Sequence, residues 1–301
     1  MKIEKNSRYI QGLSFLILAQ IMVAINIVSS KFLLSTMPIL LLLTIRFAVA
    51  TGILLPLHWL TPAKKFSLKY HFAQLNKKDW FSILAQALSA GVLFNCLMLL
   101  GLHYTDANAA GIITSALPAL IAIMSWILLG EKISGKKAGC VIIATLGLLI
   151  IAYERLHGDQ LNHSFIGDAI VLLSLIPEAS YYILSKVNPI RLPVFLLSAL
   201  LNGINTILLL CISPFFFSNN SSITWSGWMI VFILGLSSGL FYVFWYQGCQ
   251  KVDGLMASLS TAVMPVATVI FAGIILNEQL TMGQLMGMTL VICSVVIYAR
   301  K

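Results

Sequence analysis

The sequence predicts an all-α, polytopic membrane protein with ten transmembrane helices arranged as two inverted five-helix repeats. Composition is the first reason. Hydrophobic residues fill 59% of the 301 positions and charged residues only 10%, against about 25% charged in a soluble domain. Mean hydropathy is +0.95, which leaves no room for a large soluble domain. The second reason is an internal repeat. Gly101, Asp106, Ala110, Thr114, Pro118, Leu129 and Glu131 recur, each 147 residues later, as Gly248, Asp253, Ala257, Thr261, Pro265, Leu276 and Glu278. Upstream, Gly12, Ala24, Ser30, Lys31 and Pro38 recur 155 residues later as Gly167, Ala179, Ser185, Lys186 and Pro193, and one longer loop in the first half accounts for the change of spacing. The third reason is where the basic residues fall.

A spanning helix needs about 20 mostly apolar residues. The first such stretch, 10–31, follows Lys2, Lys5 and Arg8 and superficially resembles a signal peptide, but it runs past Ile25 without a small-x-small cleavage site. It is expected to be retained. The second, 38–60, carries Arg46; the polar link 61–79 with its five lysines then separates it from the third, 80–102. The fourth, 108–129, contains Pro118, and the fifth is 135–154. The sixth, 166–186, repeats the first and holds Glu178; the seventh is 192–217. The eighth, 225–248, ends in an aromatic cluster, the ninth, 255–276, contains Pro265, and the tenth is 281–299. The domains are expected as residues 1–155 and 156–301, one repeat each.

With the N-terminus inside, sixteen of the 19 Lys and Arg fall at cytoplasmic ends; Lys31 and Arg155 lie outside and Arg46 within a span. That asymmetry predicts both termini in the cytoplasm. It also explains the net charge of +9 as membrane orientation, with no nucleic-acid partner. Five helices per repeat is odd, so the second copy enters the bilayer from the opposite side. Two such copies favour alternating access around a site where they meet.

The five cysteines lie in apolar stretches without paired spacing, so neither disulfides nor a metal site is expected. No GxxxxGK[ST] loop is present, and His103, His157 and His163 have no motif spacing. These absences argue against an enzyme, a cofactor and ATP-driven pumping by this chain.

The repeated segments are GLHYTDANAAGIITSALPALIAIMSWILLGEKISGKKAG (101–139) and GCQKVDGLMASLSTAVMPVATVIFAGIILNEQLTMGQLMG (248–287). With Asn26 and Lys31 on the first helix and Arg46 on the second, the chain resembles the drug/metabolite transporter superfamily, specifically its EamA-type branch, over essentially its whole length. The second copy departs from the pattern by having Asn277 where Gly130 stands. The resemblance implies a ten-helix inner-membrane carrier of small organic metabolites. It does not imply a particular substrate.

Candidate site residues follow from the cost of polarity in a membrane. Glu178 lies about 3 Å from the midplane by helical rise, and its repeat counterpart is Val23. A carboxylate there must face a cavity, be paired or be protonated. Two readings stay open: a substrate-amine or proton site, or a structural pair with Arg46. Tyr182, one turn on, shares its face. Tyr242, Trp245 and Tyr246 on the eighth helix, with Asn95 as the counterpart of Tyr242, could hold a cationic or aromatic ligand, or serve the core. Gln20 and Asn26 are buried amides that line the cavity or bridge helices. Pro118 and Pro265 each remove a backbone donor and leave the carbonyls of Thr114 and Thr261 unbonded, as a gate or as a static kink. Lys31 and Lys186 are expected to snorkel to the interface. Asp106, Glu131, Asp253 and Glu278 are expected to cap helices or pair across turns.

The leading function is a secondary transporter of amino acids or related amphipathic amines, in the export direction, with protons as a candidate coupling ion. Carriage of cationic or quaternary-ammonium compounds, or a facilitative channel, is the alternative.

Overall fold

The computed structural model of the protein describes residues 2–130, 165–188, 190–212, 224–252 and 260–299, with isolated positions between them. Every regular element among them is helical. They are α1 (Lys2–Leu33), α2 (Ile39–His58), α3 (Leu68–Ala73), α4 (Lys77–Gln86), α5 (Phe94–Tyr104), α6 (Ala107–Thr114), α7 (Leu117–Leu129), α8 (Phe165–Val187), α9 (Val194–Ile212), α10 (Trp225–Cys249), α11 (Val263–Leu276) and α12 (Met282–Ala299). A 3₁₀ turn, Pro62–Lys65, sits in the polar link.

Seven spans among the described residues are long and apolar enough to cross a membrane: Ser7–Leu33, Ile39–His58, Lys77–Tyr104, Ala107–Leu129, Phe165–Val187, Val194–Ile212 and Trp225–Cys249. They match the first to fourth and sixth to eighth expected spans. The ninth is described as the shorter Val263–Leu276, and the tenth as an 18-residue helix. The fifth falls largely outside the described residues, as do the expected domain boundary, Glu131 and Asp253. Large apolar side chains such as Ile207, Phe232 and Ile274 point outward, as a lipid-facing surface requires.

Two spans are not the single helices that hydropathy suggests. Lys77–Tyr104 joins α4 to α5 through a seven-residue π-helical segment, Ala87–Leu93. Its Gly91 leaves no space for a side chain: a Cβ there would lie 2.0 Å from Asn205 Nδ2 of α9. Ala107–Leu129 breaks at Ser115–Ala116, and Pro118 stands in the first turn of α7, where a missing N–H costs nothing. In the ninth span the expectation for Thr261 is corrected. Its carbonyl is not left free but accepts the Met264 N–H at 3.1 Å, a tighter i→i+3 bond that absorbs the proline's missing donor.

Small residues set the helix crossings. Gly101 of α5 packs on Gly167 of α8, and Gly12 of α1 on Gly248 of α10; a Cβ on any of the four would lie 2.5–2.9 Å from the facing helix or its adjoining turn. Around these crossings α1 packs on α10 and α11, α2 on α9 and α10, and α6 on α11. Gly130 and Asn277 end α7 and α11 with φ of +67° and +55°. The departure from the repeat at Asn277 therefore preserves the backbone, since asparagine tolerates the left-handed cap better than other side chains.

Candidate functional site

At the centre of the bundle α1, α2, α5, α8 and α10 line a cleft. Its apolar frame includes Phe94 and Phe241, which stand 147 residues apart and so occupy equivalent places in the two halves. Val23 and Glu178, and Asn95 and Tyr242, are two further equivalent pairs on its wall.

Of the predicted site residues, Glu178, Asn26, Asn95 and Tyr242 line this cleft. Pro177 precedes Glu178 inside α8 and cannot donate to the Leu173 carbonyl one turn earlier. Glu178 is 1% exposed. Its Oε2 is buried and has no protein partner. Asn26 donates to the Met22 carbonyl at 3.0 Å and accepts from Ser238 Oγ at 3.0 Å. Asn95 donates to the carbonyls of Ala90 and Gly91, in the π segment, and accepts from the Arg46 guanidinium.

Tyr182, Gln20, Trp245 and Tyr246 lie behind the wall and do not line it. Gln20 donates to the Tyr182 hydroxyl at 3.2 Å. The Trp245 ring lies edge-on to Tyr182, 4.4 Å between centroids, and its indole N–H donates to Ser185 at 3.1 Å. Tyr246 donates to Gln86. These side chains tie α8 to α1 and α10, and α10 to α4, from outside the cleft. Thr114, Pro118, Thr261 and Pro265 sit apart from it, in the fourth and ninth spans, which cross where Gly111 meets Thr268.

Arg46 and Glu178 line one cleft without pairing. Arg46 is 1% exposed and donates to Asn95 and, at 3.5 Å, to Ser30 Oγ, with its guanidinium 4.8 Å from the Phe47 centroid. Among the described residues no carboxylate stands within ion-pair distance of it. Sequence reasoning weighed Arg46 only as a partner for Glu178, and passed over Ser238 and Phe241. The 147-residue spacing that links Phe94 to Phe241 was the available signal for the latter.

The basic and acidic loop residues form a second polar cluster, away from the cleft. Lys31 does not snorkel; its ammonium turns inward to the carbonyls of Leu102 and Thr105, at 2.5 and 2.6 Å, taking up the acceptors at the end of α5. Asp106 caps α6 through the Ala109 N–H at 2.5 Å. Glu278 arrives from the other half and accepts the N–H groups of Ala107 and Asn108 at 3.1 and 2.7 Å. Burial pushes the Glu278 carboxyl above its ordinary range, while those two donors and Lys31 pull it back.

A model of the EamA-like transporter family matches residues 10–153 and 165–300. YetK, an uncharacterized transporter of Bacillus subtilis, is 28% identical over 94% of this chain and 85% of its own length. An uncharacterized transporter of Archaeoglobus fulgidus is 28% identical over 87% of this chain and 98% of its own. A crystal structure with 17% sequence identity superposes at a TM-score of 0.67, covering 97% of this chain and 96% of the other, which shows a shared fold.

Proposed function

Since the chain belongs to the EamA-like transporter family, we propose that it is a secondary transporter that moves amino acids or related amphipathic amines across the inner membrane. Its two halves are inverted repeats of five helices each, ten in all, with both termini cytoplasmic. The glycine crossings support this symmetry. Gly101–Gly167 and Gly12–Gly248 exchange under the two repeat spacings, so one crossing is the image of the other. Two arrangements of similar energy, each open to one side, follow from such a pair and give alternating access. Export is the direction proposed, with Pro118 and Pro265 at the moving joints.

The observation that carries the substrate reading is Glu178, a fully buried acid on the cleft wall with an unpartnered oxygen and, among the described residues, no basic side chain against it. Such an acid in a membrane is costly and is retained for a ligand or a proton. An ammonium group in the cleft supplies the missing partner. Tyr242 and Phe241 beside it also suit a quaternary ammonium by cation–π contact, which keeps such compounds as the second reading.

Reconstituted vesicles test this. Counterflow of labelled amino acids and amines is expected from the wild-type protein, whereas a facilitative channel shows none. Glu178→Gln keeps shape and removes charge, so uptake should fall at least tenfold while the melting temperature changes little. Full recovery in the double variant with Arg46→Gln would mean that Glu178 serves only to neutralise Arg46. Orientation is checked separately: external thiol reagents should label a cysteine introduced at Asn219 and not one at Lys69.

A further inference from the structure

We propose that Arg46 is the anion site of the cleft and takes a carboxylate of the transported molecule, and that Asn95 and the π segment hold its guanidinium ready. The inference rests on transport through this cleft and adds the group recognised at its other wall.

A guanidinium is always charged and carries five N–H donors in a rigid fork. At 1% exposure inside a membrane it needs compensation. The partners it has are neutral: the Asn95 amide oxygen, the Ser30 hydroxyl and the Phe47 ring. Its Nε–H has none, although Arg46 lines the cleft. A planar carboxylate matches two adjacent donors of the fork and also supplies the missing charge.

The orientation of Asn95 is fixed by its surroundings. Its Nδ2 donates to Ala90 and Gly91 at 2.6 and 2.8 Å, so both donors are used and the oxygen faces Arg46. The flipped amide would set oxygen against two carbonyls and N–H against a cation. The π segment that offers those carbonyls is itself pinned, because Asn205 presses on Gly91. Arg46 is thus a held cation. Its counterpart in the second half is Leu201 and that of Asn95 is Tyr242, so the repeat scaffold does not require this arrangement. Glu178 stands on the wall contributed by the other half, and a zwitterion bridging the two would set its carboxylate toward Arg46 and its ammonium toward Glu178.

Thermal stabilisation of the purified full-length protein tests this with the twenty amino acids, each beside its primary amide and its decarboxylated amine. For those amino acids that bind, the amide and the amine should need at least tenfold higher concentrations. In Arg46→Gln the amino acid should weaken to the level of its amide, and the amide should be unchanged. Asn95→Leu keeps the cation but frees it, and should shrink the same ratio severalfold; it carries the test if Arg46→Gln does not fold. Amides or amines that bind as well as their parent acids overturn the carboxylate assignment and leave amine transport standing. An undiminished ratio in Arg46→Gln, or in Asn95→Leu where that carries the test, also overturns it. Binding by none of the three forms overturns the transport reading and this inference with it.

Discussion

The two walls of the central cleft differ in kind. The first half contributes Asn26, Arg46 and Asn95, a cation with two amides; the second contributes Glu178, Ser238 and Tyr242, an acid with two hydroxyls. One apolar pair, by contrast, is matched, with Phe94 lining the cleft from the first half and Phe241 from the second. Duplication explains that pair, because both copies place an aromatic ring at the same position. It cannot explain the polar groups, since Val23 answers to Glu178 and Leu201 to Arg46. In a membrane, where each such group is expensive, polarity held by one copy alone marks work that packing does not need.

Exchanging the walls should have the largest effect. Arg46→Glu combined with Glu178→Arg preserves net charge, yet uptake by vesicles should stay below about a hundredth of wild type, because the Asn95 oxygen would face a carboxylate and weaken that site by roughly 3 kcal/mol. Substantial transport by the exchanged protein would show that the walls are interchangeable. Gly91→Ala should come next. Its Cβ overlaps Asn205, so the melting temperature should drop by the equivalent of about 1–3 kcal/mol, and Asn205→Ala should restore part of it. Glu278→Gln removes a charged acceptor from two helix-start amides and should cost about 0.5–2 kcal/mol, with substrate affinity unchanged. The smallest expected effect is that of Pro118→Ala and Pro265→Ala, which should slow turnover severalfold with little change in binding. Equal effects on both would assign the prolines to the site instead.

Much of the architecture is legible in the sequence, because bilayer thickness turns hydropathy into helix length. The π segment is not. Nothing local distinguishes Ala87–Leu93 from an ordinary helix, and its register is tied to a contact between Gly91 and Asn205, 114 residues away. Glu178 is legible because an acid at the midplane is conspicuous by itself. For Trp245 and Tyr246 the sequence leaves a ligand and the core both open for a general reason: the polar tip of a buried aromatic needs a partner, but sequence does not say whether a ligand or the protein provides it. Here Ser185 and Gln86 do. The sequence leaves open whether Glu178 pairs with Arg46; the contact of Arg46 with Asn95, 49 residues on, is tertiary, and no local pattern carries it.

The turn between α5 and α6 has a consequence for kinetics. Lys31 grips its carbonyl side and Glu278 its amide side, one prong from each half of the chain, with four hydrogen bonds in all. A clasp with two prongs does not loosen gradually. Releasing either charged group strands the opposite charge next to it in a partly buried place, so the second prong is easier to lose once the first has gone. Glu278 is the prong that crosses between the halves, so parting them at this turn would cost both of its hydrogen bonds and leave Lys31 without one of its two neighbouring carboxylates.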